Sequence, residues 1–121
     1  MRPHHNLDVW KKAVAFTVDI YSVTERFPRD ERFGLTSQIR RASVSIAANI
    51  AEGAGRKSSK EFVNFLSIAQ GSASEVETEL LIAHRLDYLR EKEMHEISAK
   101  LDEIGRMLTG LSSYLKSKNQ K

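Results

Sequence analysis

Residues 35–55, LTSQIRRASVSIAANIAEGAG, are apolar or small on two opposite sides of the one helix they are suited to form. At about 100° per residue, Leu35, Ile39, Ala42, Ile46, Ile50 and Gly53 share a face, the stripe of a core-facing helix. Across from it stand Val44, Ala48, Ala51 and Gly55, where a solvated helix would carry charge. A helix with no polar side is covered on both sides. A chain of 121 residues builds one modest core and no second one. The second cover is therefore expected from another copy of the chain, with Val44, Ala48, Ala51 and Gly55 as the oligomer interface. Arg40 and Arg41 flank that face.

Three further helices are predicted around this one. Asn6 or Asp8 is placed to cap a first helix whose apolar residues are Val9, Trp10, Ala13, Val14, Phe16, Thr17, Ile20, Tyr21 and Val23, running to about Arg26 and ended by Pro28. Ser58 and Glu61 form a capping box ahead of a third helix that buries Phe62, Phe65, Leu66, Ala69, Ala73, Val76 and Leu80 and runs to about Tyr88. Gly71, in its middle, suggests close approach to a neighbouring backbone, since glycine costs a helix about 1 kcal/mol. Met94, Ile97, Leu101, Ile104, Leu108, Leu111 and Leu115 alternate spacings of three and four, a coiled-coil-like seam. Short loops make consecutive helices antiparallel neighbours. The expected fold is all-α, an antiparallel up-down-up-down four-helix bundle in a single domain, 1–121, with flexible tails at 1–6 and 117–121.

The chain contains no cysteine, which excludes disulfides, thiolate metal sites and cysteine nucleophiles. No apolar run approaches the ~20 residues that span a bilayer, so the expected location is cytoplasmic, away from membranes. Di-iron bundles use Glu-x-x-His pairs, and none of His4, His5, His84 or His95 has a glutamate three residues before it. Residues 53–59, GAGRKSS, lack the Gly-Lys-Ser/Thr ending of a phosphate loop. No catalytic residue, metal or cofactor is indicated, and the chain does not read as an enzyme. Glu77 and Asn49 lie toward the core edges of their helices and are expected as structural polar residues, with Arg40, Arg41 or Asn49 as partners for the carboxylate.

The net charge of +3 is uneven: residues 1–60 hold 11 Lys/Arg against 6 Asp/Glu, residues 61–121 hold 8 against 10. Arg56, Lys57 and Lys60 surround the N-terminus of the third helix, whose free N–H groups suit a phosphate. Together with Arg40 and Arg41 they are the predicted nucleic-acid contacts, to RNA or DNA. Exposed aromatics interleaved with arginines are missing, so sequence-specific readout is not expected. The alternative is a structural or adaptor assembly that holds a protein partner.

Four motifs carry a resemblance. FP-x-x-E-x-F-G-L spans residues 27–35, Q-x-R-R-A-x-x-S spans 38–45, N-I-A-E-G spans 49–53, and A-x-G-S-x-x-E-x-E spans 69–77. In these motifs, and in the helix before and the leucine seam after them, the chain resembles the four-helix-bundle family named after 23S rRNA intervening sequences. The resemblance implies an up-down bundle assembled as a cyclic homopentamer. It also points to a related branch, the accessory proteins of diversity-generating retroelements, which are basic pentamers that associate with a reverse transcriptase and nucleic acid.

Overall fold

The 3.6-residue periodicity becomes four helices in the computed structural model, which describes residues 2–119. They are α1 (Asp8–Thr24), α2 (Leu35–Ala54), α3 (Ser59–Arg85) and α4 (Glu91–Asn119), with 3-10 turns at Pro3–Asn6 and Arg29–Glu31. No strand occurs among the described residues. Of the expected flexible tails, residues 1, 120 and 121 lie outside the description. Inside it, Pro3–Asn6 are turned and α4 continues to Asn119.

Contacts between neighbouring helices fix their directions. Thr17 Oγ1 donates to the Ser43 carbonyl and Ser45 Oγ meets Ser72 Oγ at 2.9 Å. Gln70 donates to the Gly105 carbonyl and to Thr109 Oγ1. These contacts join the middles of the helices, and a second set nearer the turns, Thr24 with Arg40, Gly53 with Phe62 and His84 with Glu91, shows numbers rising along one helix as they fall along the next, so every sequential pair is antiparallel. α1 and α4 close the square through Lys12–Glu103, Asp19–Lys100 and Arg26–Glu93, an ion-pair ladder at half-exposed positions. Each exposed pair contributes about 0.2–1 kcal/mol. Inside, one apolar cluster runs the length of the bundle. Phe16, Ile20, Ile39, Ile46, Ile50, Leu66, Leu80, Ile104 and Leu108 are among its fully buried side chains.

The helix ends correct two expectations. Neither Asn6 nor Asp8 caps α1. Pro3 starts a 3-10 turn that brings the Leu7 N–H to the His4 carbonyl, and Leu7 becomes the capping position. Asp8 falls in the first turn instead, where its charge opposes the positive end of the helix dipole. α3 stops at Arg85, short of Tyr88. Tyr88 N–H donates to the Ala83 carbonyl and Asp87 N–H to the His84 carbonyl, with Asp87 left-handed at φ 63°. This pair of bonds is the glycine-type helix stop, here carrying an aspartate. Asp87→Gly is expected to raise stability by about 0.5–1 kcal/mol, read as a shifted urea midpoint, because glycine takes that conformation without the Cβ penalty.

Other ends follow the sequence. Ser58 Oγ accepts from the Glu61 N–H at 3.1 Å. α2 begins at Gly34, which has no side chain to cap with, and Glu31 substitutes: its Oε1 accepts from the Leu35 N–H at 3.1 Å. Its Oε2 accepts from the Tyr88 hydroxyl at 2.9 Å, a bond that, with some desolvation, holds the phenol above its usual range. One carboxylate thus starts α2 and ties it to the α3–α4 turn.

α2 and α3 are the most intimate pair, and Gly53 is the reason. A Cβ there would lie 2.8 Å from Phe65 Cβ and 2.9 Å from Phe62 Cδ1. Gly71, expected to mark the close approach, has nothing within 4 Å of where its Cβ would stand. It faces outward from α3, while Gly53 sits on the inward stripe of α2.

Candidate functional site

α2 carries two surfaces besides its buried stripe. Its outer face presents Val44 (45% exposed), Ala48 and Gly55 to solvent, with Ala51 half-buried beside them. At one end this face continues into a groove lined by Tyr21, Arg32, Phe33, Thr36, Arg40 and Arg41. At the other it meets the N-terminal turn, where Arg2, Pro3 and His4 approach Ala48, Ala51 and Arg56. On this chain the small-residue face is exposed at Val44, Ala48 and Gly55 and partly covered at Ala51, beside the N-terminal turn.

The five predicted cations have different fates. Arg40 is held: Nε donates to Thr24 Oγ1 at 2.8 Å, Nη2 to the Tyr21 carbonyl at 3.2 Å and the Glu25 carboxylate at 3.3 Å, and the guanidinium lies 4.5 Å from the Tyr21 ring centroid. Those contacts commit Nε and Nη2 to pinning α1 to α2, a role that its assignment as a phosphate ligand did not include. Arg41 is exposed, its one hydrogen bond a long 3.5 Å to Ser37. Arg56 pairs with Glu52 at 2.5 Å and lies over the Phe65 ring. Lys57 and Lys60 are exposed and enter no ion pair among the described residues. Nor do the five converge. Fifteen residues separate Arg41 from Arg56, about 22 Å along a helix.

What the fold does bring together is a set the sequence kept apart. The α2–α3 turn shares an end of the bundle with the start of α1 and the finish of α4. Arg2 and Lys11 therefore join Arg56, Lys57 and Lys60 from one side, and Lys116 and Lys118 from the other, with Asp8, Glu52 and Glu61 as the carboxylates between. The opposite end is balanced: Arg26, Arg29, Arg32, Arg85, Arg90 and Lys92 stand against Glu25, Asp30, Glu31, Asp87, Glu91 and Glu93. At the cationic end His4 meets the Trp10 ring edge-on and His5 lies tilted beside it. Desolvation, then the charges of His5 and Arg2, holds the His4 imidazole below its usual range. The signal for this grouping was the parity of four antiparallel helices, which places both termini beside the second turn.

The structural polar residues separate too. Asn49 Nδ2 donates to the Ser45 carbonyl at 2.8 Å and to Ser45 Oγ at 3.0 Å, continuing the Ser45–Ser72 link between α2 and α3. Glu77 is exposed and makes no such bond, a correction to its expected place at this contact. The buried carboxylate is Glu79, two residues on, 7% exposed with Oε1 unpartnered. Burial, then the neighbouring Glu75 charge, pushes its pKa up to about 6. His84 Nε2 stands 3.0 Å from Glu91, and His95 is exposed. No group of three metal-ligating side chains occurs among the described residues, and no described helix is long and apolar enough to cross a membrane.

Comparison with known proteins places these features in a family. Residues 5–110 match the family model described as 23S rRNA-intervening sequence protein. No curated protein matches the sequence. Among solved structures, a protein of unknown function from the S23 ribosomal protein family of Bacteroides thetaiotaomicron VPI-5482 is similar, at 30% identity and a TM-score of 0.78. The match covers 86% of this chain and 97% of that one.

Proposed function

We propose that this chain, which belongs to the 23S rRNA-intervening sequence protein family, serves as a non-enzymatic subunit of a homo-oligomer that binds nucleic-acid backbone, RNA above all. The observation that carries the reading is the cationic end of the bundle, where three chain segments place Arg2, Lys11, Arg56, Lys57, Lys60, Lys116 and Lys118 around the start of α3. One such end is a weak site. Repeated around a symmetric assembly, five copies being the number the resemblance implies, it becomes a charged rim on which several weak phosphate contacts act together. Phosphate contacts carry no base information and weaken as counterions compete, so binding is sequence-tolerant and falls steeply with salt. Arg40 has no part in it.

Reversing Arg56, Lys57 and Lys60 to glutamate is expected to weaken binding of a labelled single-stranded RNA on the order of tenfold or more and to flatten its salt dependence. Fluorescence anisotropy reads the first, and light scattering checks that assembly is unchanged. Absence of RNA and DNA binding by the parent chain at low salt would overturn the reading. The same surfaces would then serve as an adaptor for a protein partner, such as a reverse transcriptase.

A further inference from the structure

The α1–α2 turn and the start of α2 form a cleft of about 450 Å³, within the range of small-molecule sites. Arg29, Arg32 and Arg40 line it, together with Thr24, Thr36 and one carboxylate, Glu25. Arg29 and Arg32 enter no ion pair among the described residues, and Arg40 keeps Nη1 unbonded. Asp30 and Glu31 belong to the same turn but do not line the cleft, and Glu31 faces Leu35 and Tyr88. Three guanidiniums thus meet one carboxylate, although this end of the bundle is balanced as a whole. Thr36 is the sharper sign. It lines the cleft from the second position of α2, is 6% exposed, and its hydroxyl makes no hydrogen bond among the described residues. Thr24, also buried, donates to the Ile20 carbonyl at 2.7 Å and accepts from Arg40. The Thr36 and Ser37 N–H groups lack an acceptor too, as the second and third of a helix do, while Glu31 takes the first. Every unmet group here can donate.

We propose that this cleft binds a nucleotide through its phosphate monoester. The donors are those of a phosphate site: a helix N-terminus favours an anion, and guanidinium forks match phosphate oxygens. Two positive charges in excess among the lining residues suit a dianion. The carrier follows from the adjoining groove, which shares Arg32, Thr36 and Arg40 with the cleft and presents Phe33, 89% exposed. Arg32 lies 5.5 Å from the Phe33 ring centroid, where the two hollows meet. Phe33 is thus an exposed aromatic among arginines, contrary to expectation from the sequence, and gives a base a face to stack on. The site lies at the end of the bundle opposite the proposed RNA rim and does not depend on it.

Isothermal titration calorimetry at low salt tests it, with inorganic phosphate, adenosine and adenosine monophosphate as probes. The parent chain is expected to bind adenosine monophosphate more tightly than either of the others. Thr36→Val keeps the shape of the side chain and removes the unpartnered hydroxyl, and should weaken both phosphate-bearing probes about fivefold. Arg29→Ala with Arg32→Ala, at exposed positions where the fold has little at stake, should weaken them on the order of tenfold or more. Phe33→Ala should bring adenosine monophosphate down to the level of phosphate. Lys92→Ala, an exposed cation of the same end outside the cleft, should bind as the parent does. A short RNA with a phosphorylated end, set against its hydroxyl-ended counterpart, tells the two sources of this chemistry apart: preference for the phosphate makes the ligand an RNA end, and equal binding makes it the free nucleotide. A parent that binds neither phosphate-bearing probe, or Thr36→Val and the double arginine variant binding as the parent does, would overturn the site. Adenosine monophosphate held no more tightly than phosphate would overturn the nucleotide as its ligand.

Discussion

Gly53→Ala is expected to destabilise the bundle by about 3 kcal/mol. The added methyl would sit 2.8 Å from Phe65 Cβ, 2.9 Å from Phe62 Cδ1 and 3.3 Å from the Phe62 carbonyl oxygen. A ring edge can swing aside, but a Cβ and a carbonyl move only with their helix. α3 must therefore back away from α2 along the pair's tightest stretch, opening the Ser45–Ser72 link further up. Overpacking of this kind costs about 1–3 kcal/mol, more where backbone must shift, and alanine's better helix propensity returns only about 1. Urea denaturation followed by circular dichroism measures it. Gly110→Ala is the control, since nothing lies within 4 Å of that Cβ position, and it should be neutral or stabilising. Equal midpoints for the two variants would refute close approach at Gly53.

Glu79→Gln should raise stability by ~1–2 kcal/mol at pH 7–8 and change little near pH 4.5. Glu79 is nearly buried with one oxygen unpartnered, and its pKa is raised from 4.5 to about 6 by desolvation and then by Glu75. The folded state binds the proton more tightly than the unfolded state, so stability falls as pH rises from about 4.5 through about 6. Below that window both states are protonated and the carboxyl imposes no charge penalty. Above it the full cost of a desolvated carboxylate is present, and the neutral amide removes it. A denaturation midpoint for the parent chain that rises between pH 5 and 7, with Glu79→Gln shifting in parallel, would show that the carboxylate is not burdened in this way.

The two glutamates show where the sequence stops being informative. The apolar stripes of α2, α3 and α4 were legible because burial imposes a 3.6-residue period, and Ile39, Ile46, Leu66, Leu80, Ile104 and Leu108 stand where that period puts them. Glu77 and Glu79 lie on opposite flanks of the α3 stripe, and periodicity alone does not say which flank a neighbour covers. The deciding fact is tertiary: Glu79 lies one heptad beyond Ser72, on the flank that meets α2, while Glu77 lies one heptad beyond Gln70, on the flank toward α4, where its side chain reaches solvent. Gly71 misled for a related reason, since a mid-helix glycine shows that a side chain is missing but not what stands opposite. Arg40 was readable as a cation and not as a clasp, because Thr24 and Tyr21 reach it only once α1 folds back. The cationic end was hidden in the same way, its parts lying at residues 2–11, 56–60 and 116–118.

The α1–α4 ladder works as a lock against mistaken register. Its rungs read plus, minus, plus along α1, from Lys12 to Asp19 to Arg26, and minus, plus, minus along α4, from Glu103 to Lys100 to Glu93. A leucine seam that repeats every seven residues would accept a partner shifted by one heptad with little loss of apolar contact. The ladder would not. Slide α4 by seven residues one way and Asp19 confronts Glu93; slide it the other way and Arg26 meets Lys100 while Asp19 loses its lysine to Met107. Individually these exposed pairs add little to stability, but either neighbouring register gives up all three and sets one like-charge pair face to face, which biases the two helices toward the register they adopt.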